Sequence, residues 1–356
     1  MIRDNTLENT GVSIAQEQCT CYLHKASTCQ CCSEACPTGA ITLTLNHPIY
    51  DAALCLQCGA CESACPMGAI EALTPSDAQL EEEILSRAVL NAKIIFTCKE
   101  SEKKREGAIS LKCLARLEPS LLLLSLAKGA SEIKLISGEC QKCALNHTLP
   151  SIHKTIEMTQ KYADLCTVHT PIALECAQNI SDNNLTCKDH SRRIFFLKLF
   201  RKKRVEPSVE TAKIRQNNTK IPIPKKHQRF VQSLQLLAGK TPLPCSDDAL
   251  FLAPNIDTTQ CIGCTICANV CPTGALETDT SEENLGITSK RSRCVACHLC
   301  VDVCFKNAIS LDAHNDLDTI LSTQQILLYE RQKNEDAFSC VTEKMGTLLG
   351  AKIYNT

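Results

Sequence analysis

Twenty-seven of the 356 residues are cysteine, and their spacing carries the first chemical message. "CLQCGACESACPMGAI" (Cys55 to Ile70) and "CIGCTICANVCPTGAL" (Cys261 to Leu276) both spell CxxCxxCxxxCP. "CVACHLCVDVCFKNAI" (Cys294 to Ile309) keeps everything but the proline, which Phe305 replaces. A fourth copy ends in "CQCCSEACPTGAI". Read back from Cys36-Pro37, it offers Cys32 and Cys29, but the next step lands on Ala26. Three thiolates at two-residue intervals wrap one side of a cubic iron-sulphur cluster, and the fourth iron corner must be reached from elsewhere. Structural zinc sites usually present two CxxC pairs across a spacer. A zinc-scaffolded binding module is therefore the weaker reading, and neighbouring CxxC loops make a poor disulfide framework.

Both ends of the chain resemble bacterial-type ferredoxin domains with two [4Fe-4S] clusters each, over about 65 N-terminal and about 60 C-terminal residues. In such domains the fourth cysteine of each motif ligates the other cluster. The resemblance thus implies four ligand sets: Cys55, Cys58, Cys61 and Cys36; Cys261, Cys264, Cys267 and Cys304; Cys294, Cys297, Cys300 and Cys271; and Cys29, Cys32 and Cys65 with a substitute for Ala26. Cys21, looping back through the seven-residue insertion "YLHKAST", is the expected substitute. Cys19 is the remaining candidate, and a three-iron cluster with an open corner is the alternative. Cys31, next to a ligand, is expected to be free. Gly59 and Gly263 are expected to let the backbone approach inorganic sulphide, and Pro37, Pro66 and Pro272 to turn the chain after the crossing ligand.

The elements between the two ends follow a different pattern. "AQLEEEILSRAVL" (Ala78 to Leu90), "EPSLLLLSLAKGA" and "LPSIHKTIEMTQKYA" have helical spacing, whereas "KIIFTC", "AISLKCL" and "EIKLIS" are short apolar runs expected to be strands. This alternation predicts a small α/β domain with a parallel sheet, making the whole chain α+β, with two ferredoxin-like modules flanking it. Cys98, Cys113, Cys140 and Cys143 fall at the ends of the expected strands, where parallel sheets gather ligands. Their order resembles the small iron-sulphur subunit of methyl-viologen-reducing hydrogenases, which implies a [2Fe-2S] cluster. Zinc, with His147 as an extra ligand, and free thiols stay open. Cys166, Cys176, Cys187, Cys245 and Cys340 stand alone and read as small buried hydrophobes.

The resulting division is 1–77, 78–180, a basic linker over 181–249, 250–313, and a C-terminal helical extension over 314–356. From Lys188 to Arg229 there are fourteen Lys plus Arg against three Asp plus Glu, a local balance of +11. That charge suits an acidic partner or an anionic membrane surface. No aromatic platform suggests nucleic acid. No apolar run reaches the roughly 20 residues of a membrane span, and "MIRDNTLENTG" lacks a secretory pattern. The expectation is a cytoplasmic electron carrier of polyferredoxin type, serving a redox protein or oxidoreductase complex. No GxGxxG or GxxxxGK phosphate loop is present, so an enzyme would need its own centre in the middle domain or in another subunit.

Overall fold

The computed structural model describes residues 11–88, 92–101, 107–177, 220–239, 250–281, 283–314, 317 and 321–332. The N-terminal module contains β1 (Val12–Ile14), α1 (Thr20–Leu23), α2 (Cys31–Glu34), β2 (Ile41–Thr44), β3 (His47–Tyr50), α3 (Ala60–Ala64) and β4 (Ile70–Ala72). β1 pairs antiparallel with β4 and β2 with β3, so each hairpin-like pair frames one cysteine-rich loop.

The middle region is an α/β unit whose strands are all parallel. After α4 (Asp77–Arg87) come β5 (Lys93–Cys98), β6 (Ile109–Leu111), α5 (Pro119–Ala127), β7 (Glu132–Ser137), α6 (Leu149–Leu165) and β8 (Ile172–Cys176). The sheet order is β6-β5-β7-β8, and every neighbouring pair is parallel. β5, β7 and the helices lie where the apolar spacing predicts, whereas β8 has no counterpart in that reading. α4 is closed by a capping box in which Ser76 and Gln79 satisfy each other's backbone N–H groups. α5 has Pro119 in its first turn, and Leu121, Leu122 and Leu123 are fully buried. Each such leucine contributes about 1.5–3 kcal/mol of burial. A helix apolar all round must be covered on every side.

That cover corrects, over residues 220–239, the expectation of a linker spanning 181–249. α7 (Lys225–Ala238) packs on α5, with Leu234 fully buried. Arg229, counted above in the basic stretch, is only 4 % exposed. Its guanidinium meets Asp77 at 2.8 Å, Glu81 at 3.2 Å and Glu118 at 3.0 Å, and its Nε donates to Ser120 at 2.8 Å. Of that stretch, Arg229 is therefore the cationic member of a buried ion network. Against the cost of burial, the Arg229 guanidinium holds the Asp77 carboxyl below its usual range. The lone Cys187 and Cys245 lie outside the described residues.

The C-terminal module contains β9 (Phe251–Ile256), α8 (Ile266–Val270), β10 (Leu276–Thr280), β11 (Asn284–Ser289), α9 (Leu299–Asp302), β12 (Ile309–His314) and β13 (Ile326–Gln332). β9 pairs with β12, and β10, β11 and β13 form one antiparallel sheet. β13 corrects the expectation of a purely helical extension over 314–356. "ILLYERQ" alternates along an antiparallel partner, which is the period of a strand. Residues 333–356, with Cys340, lie outside the described residues.

Candidate iron-sulphur sites

The strands deliver the cysteines in groups. Cys36, Cys55, Cys58 and Cys61 line one hollow of about 340 Å³ between the N-terminal hairpins. A second hollow of about 400 Å³ is lined by Cys19, Cys21, Cys29, Cys31, Cys32 and Cys65. In the C-terminal module, burial and then the charges of Cys264, Cys261 and Cys304 push the Cys267 thiol up to about 12. Burial and the charge of Cys271 likewise raise Cys294 to about 11 and Cys297 to about 12. The thiols brought together are thus Cys261, Cys264, Cys267 with Cys304, and Cys294, Cys297, Cys300 with Cys271.

These groups suit a polynuclear cluster. Burial makes Cys58, Cys61, Cys267, Cys294 and Cys297 resist ionisation, and a cationic iron core would offset both burial and mutual repulsion. The sulphurs ring a space instead of closing on a point: among the described residues, no three His, Cys, Asp or Glu side chains gather closely enough for a single metal ion. Backbone N–H groups already face the sulphurs. Gln57 donates to Cys55 at 3.3 Å and Gly263 to Cys261 at 3.4 Å, while Ala69, Leu276 and Ala308 donate to the crossing Cys65, Cys271 and Cys304 at 3.3–3.4 Å.

The loop conformation is unusual for side-chain-bearing residues. Gln57 and Gly59, Gly263 and Thr265, and Ala296 and His298 all have left-handed φ, between 53° and 76°. Gly59 and Gly263 therefore occupy different turns of their loops, and each is covered by an arginine that the sequence reading missed. A Cβ on Gly59 would lie 2.5 Å from Cδ of Arg116, and one on Gly263 would lie 2.5 Å from Nε of Arg331. Both arginine Nε atoms are buried without a hydrogen-bond partner. The strand alternation of "ILLYERQ" was the available signal for Arg331. Nothing local in "CLARL" marks Arg116, because its position depends on how two modules pack.

In the middle domain, Cys98, Cys113, Cys140 and Cys143 line a single hollow of about 380 Å³ at the C-terminal end of the parallel sheet. Gly138 donates to Cys98 Sγ at 3.2 Å, Leu145 to Cys143 Sγ at 3.4 Å, and Thr148 Oγ1 lies 3.4 Å from Cys113 Sγ. Burial raises the Cys113 and Cys140 thiols. His147 is exposed and does not line this hollow. Ser101 bonds to the Cys98 carbonyl at 2.7 Å. Of the lone cysteines, Cys166 is buried, whereas Cys176 is half-buried at the end of β8.

Neighbouring sites share packing. α3, between Cys58 and Cys65, rests on the helical turn Leu114–Arg116 that follows Cys113. Arg116 binds Glu62 at 2.7 Å and Asp77 at 3.1 Å, Ser63 donates to the Leu117 carbonyl at 3.2 Å, and Cys58 and Cys113 belong to one buried cluster. At the other side, Thr28 donates twice to Asp302, from its backbone N–H at 2.9 Å and its hydroxyl at 2.8 Å. Cys297 packs against the N-terminal core around Cys32 and Cys65.

Residues 260–308 match the model of a 4Fe-4S dicluster domain, and residues 48–71 match that of a 4Fe-4S binding domain. The chain thus carries ferredoxin-type iron-sulphur domains at both ends. No curated protein and no solved structure matches it. No described helix is long and apolar enough to cross a membrane.

Proposed function

We propose that the chain is a multi-cluster electron carrier of polyferredoxin type that serves a redox enzyme complex in the cytoplasm. The observation that carries this reading is the contact between successive thiol groups: the C-terminal module touches the first N-terminal group through Thr28 and Asp302, and the second N-terminal group adjoins the middle-domain thiols through Cys58 and Cys113. When bound, [4Fe-4S] clusters would supply reversible one-electron redox chemistry. Cys36, Cys55, Cys58 and Cys61 would hold one, and the two C-terminal sets would hold two more. The protein's part is to exclude water, donate backbone N–H groups to the thiolates and keep the sites adjacent.

Cys98, Cys113, Cys140 and Cys143 would hold a fifth centre. Four thiols with no imidazole among the lining residues suit a [2Fe-2S] cluster, in keeping with the resemblance to the small hydrogenase-associated subunit. The basic residues of the stretch before Lys220 would serve to dock an acidic redox partner. Anaerobic purification with iron and sulphide counts and EPR tests the reading. Dithionite should reduce the protein by several electron equivalents and an artificial acceptor should reoxidise it, without turnover of NAD(P)H, hydrogen or formate. A colourless, iron-free chain, or steady turnover of any of these by the isolated protein, would overturn it.

A further inference from the structure

The first cysteine loop, outside both matched family segments, brings five cysteines to one hollow that Cys65 of the second loop completes, and the backbone distinguishes among them. In the other three loops, the first cysteine follows its strand by a fixed interval: Tyr50 to Cys55, Ile256 to Cys261, and Ser289 to Cys294. The next residue after each strand donates its N–H to the alanine that follows the crossing cysteine. Asp51 bonds to the Ala40 carbonyl, Asp257 to Ala308 and Lys290 to Ala275, each at 2.8 Å. The strand ends pair in the same register, Tyr50 with Ile41, Ile256 with Ile309, and Ser289 with Leu276.

The fourth loop repeats all of this. Ile14 ends β1 and pairs with Ile70, and Ala15 donates to the Ala69 carbonyl at 2.7 Å. The same interval then reaches Cys19, not Cys21. A further match follows from position: the residue two after the first cysteine turns its N–H onto the sulphur in two of the loops, Gln57 to Cys55 at 3.3 Å and Gly263 to Cys261 at 3.4 Å, and Cys21 holds that place after Cys19. Cys21 thus stands where the other loops place a backbone donor, while its own thiol donates to the Cys29 carbonyl at 3.3 Å. Cys31 occupies the place held in the other loops by Ala60, Ile266 and Leu299, all buried apolar residues.

We propose that Cys19, Cys29, Cys32 and Cys65 form a fourth [4Fe-4S] site, with Cys19 as the displaced first ligand and Cys21 and Cys31 outside the ligand set. The expected substitute, Cys21, is thereby replaced, and no open three-iron corner is needed. The residues between Cys19 and Cys29 have left the usual tight turn and become a docking loop. Ala26 packs on the C-terminal module beside Ile266, Leu299 and Val303, and Thr28 holds Asp302. Loop length is free to change because the two strand pairs, not the loop, place the first and last cysteines.

This inference rests on the multi-cluster reading, and iron counts on the full-length chain separate the two. Four [4Fe-4S] clusters require about sixteen irons, besides those of the middle domain. Wild-type protein with no iron overturns both proposals, whereas a wild type lacking only the first N-terminal cluster overturns this one alone. Cys19→Ala should lose about four irons or, on oxidation, show a three-iron EPR signal, with the other clusters' signals retained. Cys19→Ser should shift that cluster's signal. The double variant Cys21→Ala, Cys31→Ala should keep the full iron count and all signals, a check that holds even where Cys19→Ala fails to fold. Loss of the first cluster in the double variant, or its survival unaltered in Cys19→Ala, would overturn the assignment.

Discussion

The two ferredoxin-type modules are built on the same pair of antiparallel strand contacts, yet they are stiffened by different neighbours. The C-terminal module covers Gly263 with Arg331 from its own added strand, β13. The N-terminal module covers Gly59 with Arg116, which belongs to the α/β domain and is pinned there by Glu62 and Asp77. One module is self-contained at this point, and the other is finished by a second domain. The difference teaches that strand register is the invariant part of this architecture, while loop length and outer cover vary.

The largest way to break the comparison is through the ion network that only the N-terminal module shares. Arg229→Met leaves Asp77 and Glu118 buried without their main partner, and should destabilise the N-terminal and middle parts by about 3–5 kcal/mol. Thermal unfolding followed together with cluster absorbance should show these parts melting earlier while the C-terminal clusters keep their wild-type retention. A uniform shift of both modules would mean that they unfold as one body.

A smaller effect sharpens the contrast between the two covers. Gly59→Ala and Gly263→Ala each force a Cβ into a left-handed backbone and against an arginine, at about 1–3 kcal/mol apiece. Arg116 is only 3 % exposed and bound on two sides, so Gly59→Ala should release iron to a chelator faster than Gly263→Ala does. Equal rates would show that backbone strain, common to both, outweighs the different covers. Thr28→Val should be the mildest, removing one hydrogen bond to Asp302 and costing about 1 kcal/mol. Hydrogen exchange should rise in residues 20–28 and not around Gly263.

Much of the site was legible because ligand spacing is a local property. CxxCxxCxxxC specifies a tight loop whatever surrounds it, so the groups containing Cys55, Cys261 and Cys294 could be read directly. The strand "KIIFTC" was equally plain, being buried along nearly its whole length and hence almost continuously apolar, and "EIKLIS" keeps Ile133, Leu135 and Ile136 buried beside its half-exposed Glu132 and Lys134. The strand "IALEC" was not, since its residues are only partly buried and mix polar with apolar. "ILLYERQ" lost to a helical reading because a single edge strand carries too little signal to set against the chain before it. In the first cysteine loop, counting along the chain favoured Cys21, whereas hydrogen bonds across β1 and β4 single out Cys19.

By itself, then, the sequence determined the chemistry of the thiols and the periods of the central helices and strands, since both depend on residues a few positions apart. Tertiary structure decided the rest: that Arg229 is a buried pin inside a basic stretch, that Arg116 covers Gly59, and that Thr28 reaches Asp302. These choices join residues 57 to 274 positions apart, and they are made by packing between elements and by the need to match every buried charge, neither of which leaves a local pattern to read.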